Sequence, residues 1–388
     1  LKKILYFSFY FEPDLSAGSF RNSTLAKELA VQFGSVNEII IITTQPNRYS
    51  TFKIVAPAFE QIGNITIHRI KLPEHKNGFL DQIYSFKTYF IEAKKIYKNI
   101  QFDLVFVSTG RLFTAFLASR AAKSLKVPLY IDVRDIFTDT IKDVIKNPII
   151  KSLMLPILRF IEKMTFANAN HINLISEGFK PYFQKYPRPT YSYFTNGIDD
   201  VFINKTLSPN TNNRIFKIVY AGNIGEGQGL HTILPKAAKA LENRFEFLVI
   251  GDGGAKEILE DELKKLSVNN VKLISPVKRS ELMPIYDQCD FFFIHLNDYD
   301  AFKKVLPSKI FELAAYDKPI IAGVSGYAAE FVSKNVSNIV LFESGDTESF
   351  VNKLNSYLYK REERTDFRTK FKRSAINKEM ASSILQYM

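Results

Sequence analysis

The stretch "VLPSKIFELAAYDKPIIAG", Val305 to Gly323, places a carboxylate where chemistry could use it. Pro307 and Ser308 mark a helix start, and Ile310, Leu313 and Ala314 recur at core-facing spacing. Lys318-Pro319 ends the helix, and Ile320 to Gly323 reads as a buried strand. Glu312 sits one turn inside, off the apolar face. A capping box would need a carboxylate three residues after Ser308, where Phe311 stands. Glu312 is then either a solvated residue pairing with Lys309 at i−3, or a group that a ligand wants beside an anion-attracting helix end.

The elements around it alternate. Strands are expected at Lys3–Phe9, Glu38–Thr43, Ile65–Ile70, Leu104–Ser108, Leu129–Val133 and His171–Ile175, with helices at Arg21–Phe33, Leu80–Asn99 and Leu112–Leu125. The second half restarts with "FKIVYAG", "FEFLVIG", "VKLIS", "DFFFIHL", "PIIAG" and "NIVLF". Such alternation predicts an α/β protein with parallel sheets covered on both faces. The length favours two domains: 1–196, a linker at 197–214 rich in Asn, Asp, Ser and Thr, and 215–388, whose C-terminal helices are expected to pack back on the first domain. In doubly wound domains, ligands bind outside the carboxyl ends of strands. The loops to watch are "FEPDLSAGSFR", "AGNIGEGQGL", "GDGGAKEIL" and "SPVKRSEL".

Composition narrows the classes. The single cysteine, Cys289, excludes an intrachain disulfide framework and a Cys-rich zinc site. The five histidines show no HxH or HxxxH spacing, so no metal is expected. No apolar run reaches the roughly 18 residues that span a bilayer. The start "LKKILYFSFYFEPD" lacks a small-residue cleavage site and reads as a strand, so a cytoplasmic address is expected. Residues 1–196 hold 26 Lys+Arg against 15 Asp+Glu, and residues 197–388 hold 26 against 25, so +11 of the +12 formal charge lies in the first half. An anionic partner is expected there. The helical patterns at 80–99 and 149–164 mix apolar and basic residues. In the latter, Ile149, Ile150, Leu153, Met154, Ile157, Leu158 and Ile161 cluster on one side, with Lys146, Lys151, Arg159 and Lys163 around it, a pattern suited to an anionic membrane surface.

Taken together, "YAGNIGEGQGL", "VIGDGGAKEIL", "VLPSKIFELAAYDKPIIAG", "SAGSFR", "TNGIDD" and "DVRDIFTDT" resemble bacterial family 4 glycosyltransferases of the type that builds capsule, O-antigen or exopolysaccharide, similar to N-acetyl-L-fucosamine transferases. The resemblance implies a GT-B fold, two Rossmann-like domains facing across a deep cleft. It implies retaining transfer of a sugar from a nucleotide-sugar, UDP-linked by family habit, to a lipid-linked saccharide such as one on undecaprenyl pyrophosphate. It places the enzyme in the cytoplasm, peripheral on the inner face of the cell membrane, with no further cofactor and no nucleic-acid partner.

The resemblance also assigns residues. Glu312 accepts hydrogen bonds from the ribose hydroxyls. Ser308 and Lys309 hold pyrophosphate, with Leu306 in the same stretch. Gly222 and Gly229 let their loop approach closely, and Gly251 opens a second glycine turn. Backbone near Val277 and Lys278 holds the base. Gly18 and Ser19 face the pyrophosphate from the first domain, with Arg21 a further phosphate ligand. Arg134 steadies an acceptor phosphate and Asp135 orients an acceptor hydroxyl, the alternative being a structural ion pair between them. Two departures stand out. Lys304 occupies the position of the family's first glutamate, near the donor sugar. Asn223 and Gln228 stand where the family often has Arg and Lys. A nucleotide-sugar epimerase of GT-B fold and a non-catalytic nucleotide-binding protein are the competing readings; the first would need acid–base partners around the sugar.

Overall fold

Strand-forming runs such as KILYFS, EIIIITT and LVFVST are rich in β-branched and aromatic residues and buried along almost their whole length, as a parallel sheet covered on both faces requires. The computed structural model describes residues 1–47, 54–73, 79–145, 147–203 and 215–388. They divide into two units, Leu1–Asn196 with Ser374–Met388, and Gly197–Arg373.

The first unit contains β1 (Lys3–Ser8), β2 (Glu38–Thr44), β3 (Phe59–Ile62), β4 (Ile65–Ile70), β5 (Leu104–Thr109), β6 (Leu129–Val133), β7 (His171–Leu174) and β8 (Thr190–Ser192). They form one sheet in the order β3-β4-β2-β1-β5-β6-β7-β8. All pairs are parallel except β3 with β4. The edge strands β3 and β8, absent from the sequence expectation, are mostly exposed or half-buried and so carry no clear apolar alternation. From β1 the chain builds outward one way, then returns to β5, so strand order reverses between β1 and β5.

The second unit repeats the plan with β9 (Phe216–Asn223), β10 (Phe245–Asp252), β11 (Val271–Ile274), β12 (Phe291–His295), β13 (Ile320–Gly323) and β14 (Ile339–Phe342). The order is β11-β10-β9-β12-β13-β14, which reverses between β9 and β12. Each unit is doubly wound, and each reversal marks where a ligand crevice forms.

Three expectations change. Residues 197–203 are not linker: Ile198 and Phe202 are buried in the second unit's core, and Asp199 pairs with Arg279 at 2.8 Å and Arg373 at 2.5 Å. The remainder of the expected linker, 204–214, lies outside the described residues. The helix expected from Ser308 toward Lys318 is only Lys309–Leu313. Downstream carbonyls are taken by another segment: Arg364 donates to Tyr316 O and, at 3.0 Å, to Lys318 O. The helix read at 149–164 is Pro148–Phe166, and its apolar residues do not share one side. Leu158 is buried, whereas Ile149, Leu153, Ile157 and Phe160 are 59–70% exposed. Lys146 lies outside the described residues.

The C-terminal stretch breaks into helices Thr347–Asn355, Thr365–Lys370 and Arg373–Leu385. Met380, Ala381 and Ile384 on the last of them pack with Ile4, Tyr6, Leu25 and Leu29 in the first unit's core.

Candidate functional site

In the second unit, β9 and β12 pair only through Phe291↔Ile218 and Phe292↔Val219. Beyond that point both strands run on, β9 to Asn223 and β12 to His295, leaving a gap at the switch point. The loop after β9 fills one side. Gly251, on the adjacent strand, has φ +153°, and a Cβ there would lie 1.8 Å from the Gly222 carbonyl oxygen, so Gly251 is glycine because of close backbone approach. Asn223 Nδ2 donates to Gln228 Oε1 at 2.7 Å. The two residues that replace the family's cations therefore satisfy each other. Every carbonyl from Ile224 to Gln228 is bound: Ile224 O by Ala255 N–H, Gly225 O by the amides of Gln228 and Gly229, Gly227 O by Asn297 N–H, Glu226 O by Asn297 Nδ2 at 3.0 Å and Gln228 O by His295 Nδ1 at 2.7 Å. Among the described residues, the amides of Gly225, Glu226 and Gly227 have no acceptor.

Glu312 is neither solvated nor simply ion-paired. Its Oε1 accepts from Tyr286 Oη at 2.9 Å and from Lys309 Nζ at 2.8 Å. Its Oε2 accepts nothing among the described residues. Burial alone would raise the carboxyl, but the Lys309 and Arg279 cations and the two hydrogen bonds outweigh it and hold Glu312 below the usual range. The Tyr286 hydroxyl, buried beside that carboxylate, is pushed far up and remains a donor. The result is a carboxylate fixed by one oxygen and open at the other.

Other expected residues land less simply. Ser308 has helical dihedrals and makes no capping bond, so the one-turn helix it precedes is a weak source of positive potential. Leu306 is a core side chain. The Lys278 amide is engaged by Glu281 Oε2 at 2.9 Å, and Val277 packs against the core, so the Lys278 N–H is spent on capping helix Arg279–Gln288. Lys304 ends the short turn Phe302–Lys304 and is half-buried.

In the first unit, Arg21 is corrected outright. It is 1% exposed, holds Asp132 through two nitrogens at 2.9 and 3.1 Å, and donates to the carbonyls of Thr195 and Phe194 at 2.7 and 2.8 Å. Four of its five N–H donors are thus committed within the first unit, and the side chain is buried. Against burial, Arg21, Ser108 and Asn173 hold Asp132 below its usual range. Ser19 is fully buried and its amide caps against Ser16 Oγ at 3.1 Å.

Arg134 is the opposite case. Its guanidinium lies where a Cβ on Gly18 would sit, 1.7 Å from Nη1, which explains the glycine. Its Nε is buried without a hydrogen bond. It forms no ion pair with Asp135, whose side-chain partner is Thr140 Oγ1 at 3.3 Å. Burial, then the Arg21 charge against Asp132, lowers the Arg134 pKa, and burial pushes Asp135 up to about 6. Beside them, after β1 and β5, Arg111 lies 4.2 Å from the Phe9 ring and donates to Tyr10 Oη at 2.6 Å. Asp135 and Arg111 line one open pocket of about 300 Å³ with Leu112, Val133, Phe137 and Glu162. Among the described residues, no group of three or more His, Cys, Asp or Glu is placed to hold a metal.

The family described as "Glycosyl transferases group 1" matches residues 204–374. That segment is similar to the family and spans somewhat under half of the chain. The Escherichia coli (strain K12) protein described as the colanic acid biosynthesis glycosyl transferase WcaI is 29% identical over 98 residues, 25% of this chain. The matched part spans about a quarter of that relative, 24% of its length. Among solved structures, sucrose-phosphate synthase from Thermosynechococcus elongatus matches at TM-score 0.75 and 14% identity, covering 100% of this chain and 99% of that one. Anabaena HepE in complex with UDP-glucose matches at TM-score 0.71 and 15% identity over 100% of both. These likenesses establish the fold as GT-B. Within the matched segment, Tyr286, His295 and Asn297 went unnoticed in the sequence. Only His295 left a trace there, as the polar end of the apolar run "DFFFIH".

Proposed function

We propose that the chain is a retaining glycosyltransferase of surface-polysaccharide synthesis, moving a sugar from a UDP-sugar to a saccharide carried on undecaprenyl pyrophosphate. The observation that carries the donor half is Glu312. An oriented, ionised carboxylate with one free oxygen suits a ribose diol, and it stands in the segment similar to glycosyl transferases group 1. The free amides at Gly225–Gly227 and the Lys309 ammonium supply donors for a leaving diphosphate. Such preorganised donors stabilise charge as it develops, so no dedicated base or further cofactor is required on this reading. Lys304 would meet the transferred sugar, and Gly18 serves the acceptor side by leaving room for the Arg134 guanidinium. Asp135 would orient the acceptor hydroxyl and Arg134 its phosphate.

Changing Glu312→Gln should weaken UDP binding by about 1.5–3 kcal/mol, the range for hydrogen bonds to charged groups, with folding nearly intact. Calorimetric titration decides it, and equal affinities would sink the assignment. Transfer itself is read by incubating the protein with UDP-sugars, with and without a lipid-linked acceptor.

The acceptor half rests on helix Pro148–Phe166. Ile149, Leu153, Ile157 and Phe160 are spaced to share a face and are exposed, with Arg159 and Lys163 also exposed beside them. An anionic membrane surface, on the cytoplasmic side, fits that face: each lysine near it contributes about 1 kcal/mol, and apolar side chains enter the interface. Wild type should co-sediment with anionic vesicles at low salt, less at high salt. A Leu153/Ile157/Phe160 to Ser variant, or one changing Lys151, Arg159 and Lys163 to Ser, should lose most of that binding. A wild type that ignores anionic vesicles at low salt would point to a soluble acceptor.

A further inference from the structure

We infer that His295 is a positioning residue, clamping the turn Gly225–Gly229 across the switch-point gap so that its free amides keep one arrangement before a phosphate arrives. The inference rests on the donor reading above and adds a residue to it. Gln228 O can only accept, so His295 Nδ1, at 2.7 Å, must carry the proton. Gly345 N–H can only donate, so Nε2, at 3.0 Å, must be the acceptor. These two partners force one neutral tautomer. Burial, opposed by the hydrogen bond to Gln228 and aided by His231, holds the ring's pKa at about 4, so it stays neutral near pH 7.

The ring is 1% exposed, and the fold makes room for it. Gly323 is its register partner on β13, and a Cβ there would lie 2.3 Å from His295 Cδ2. The reason for such accommodation is the turn. A peptide is planar, so fixing a carbonyl also fixes the N–H on the far side of the same bond. The carbonyls of Ile224, Gly225 and Glu226 are held, which orients the amides of Gly225, Glu226 and Gly227. The peptide between Gln228 and Gly229 is held on its N–H side by Gly225 O, at 3.2 Å. Gly229 has φ +58°, and a glycine there lets that plane turn over at little steric cost. His295 grips its carbonyl and ties it to the Gly345 turn. The one ionisable side chain of the turn is Glu226, held by Tyr299 Oη at 2.6 Å, so the loop has no cation to reach for a phosphate and its affinity depends on donors already in place.

Two variants separate the two ring nitrogens. His295→Asn keeps a donor near the Nδ1 position, and His295→Gln keeps a polar group near Nε2 only. In the ligand-free protein, hydrogen exchange of the Gln228 and Gly229 amides should quicken by about tenfold in His295→Gln, the loss of one hydrogen bond, and stay near wild type in His295→Asn. By calorimetry, UDP affinity should fall about tenfold in His295→Gln and less than about threefold in His295→Asn, with uridine affinity unchanged in both. Equal exchange in the two variants, or equal losses for UDP and uridine, would overturn the clamp. If the exchange contrast appears while wild type binds UDP no better than uridine, the clamp stands and the donor reading fails.

Discussion

At the strand ends of the first unit the polar chemistry is cationic and unevenly neutralised, while in the second the Glu312 carboxylate is matched by the Lys309 ammonium and the Tyr286 hydroxyl. Arg21 and Arg134 sit in one neighbourhood, yet of the two only Arg21 bonds Asp132. In the second unit the loop that family members often furnish with cations has Asn223 bonded to Gln228. Arginine side chains thus stand at the strand ends of the first unit, whereas the loop after β9 in the second offers backbone amides and no cation. The sequence-level asymmetry, +11 against +1, is the large-scale form of the same division.

The sharpest way to break that comparison is to remove each arginine of the first unit in turn. Arg21→Ala strands a buried Asp132 and should cost about 3–5 kcal/mol in denaturant unfolding. Arg134→Ala removes a cation without a bonded carboxylate and should change stability by less than about 1 kcal/mol, or raise it, while weakening anion binding. Equal losses would mean that Arg134 is structural after all. A smaller effect is expected at Asp135. Its folded pKa, about 6, lies above its unfolded value near 3.9, so the folded state holds more protons between those values. Stability therefore falls as pH rises through that window, and the penalty is complete above about pH 6. Asp135→Asn should be about 1–3 kcal/mol more stable than wild type at pH 7, and equal to it below about pH 4. Parallel stability–pH curves for the two proteins would remove Asp135 from the acceptor site.

What the sequence disclosed follows the range of the forces involved. Strands such as Glu38–Thr44 and Leu104–Thr109 announce themselves because each is one continuous apolar run, and Glu312 because its neighbours form an ordered motif. Arg21 looked like a phosphate ligand because its true partner, Asp132, is 111 residues away. The helix after Ser308 looked longer because nothing local shows that Arg364 takes the carbonyls of Tyr316 and Lys318. Tyr286 gave no signal at all: a tyrosine inside an amphipathic helix looks the same whether its hydroxyl meets water or a carboxylate.

The placement of Met380, Ala381 and Ile384 in the first unit's core bears on the order in which the chain can be completed. On a ribosome, residues 1–196 emerge first, but the side chains that finish their core arrive only after residues 197–373 have been made. The second unit, whose own residues are contiguous, is free to close while the earlier one still waits. The part synthesised first is therefore the last to be sealed, and a nascent chain halted before Ser374 leaves Ile4, Tyr6, Leu25 and Leu29 without the helix that covers them.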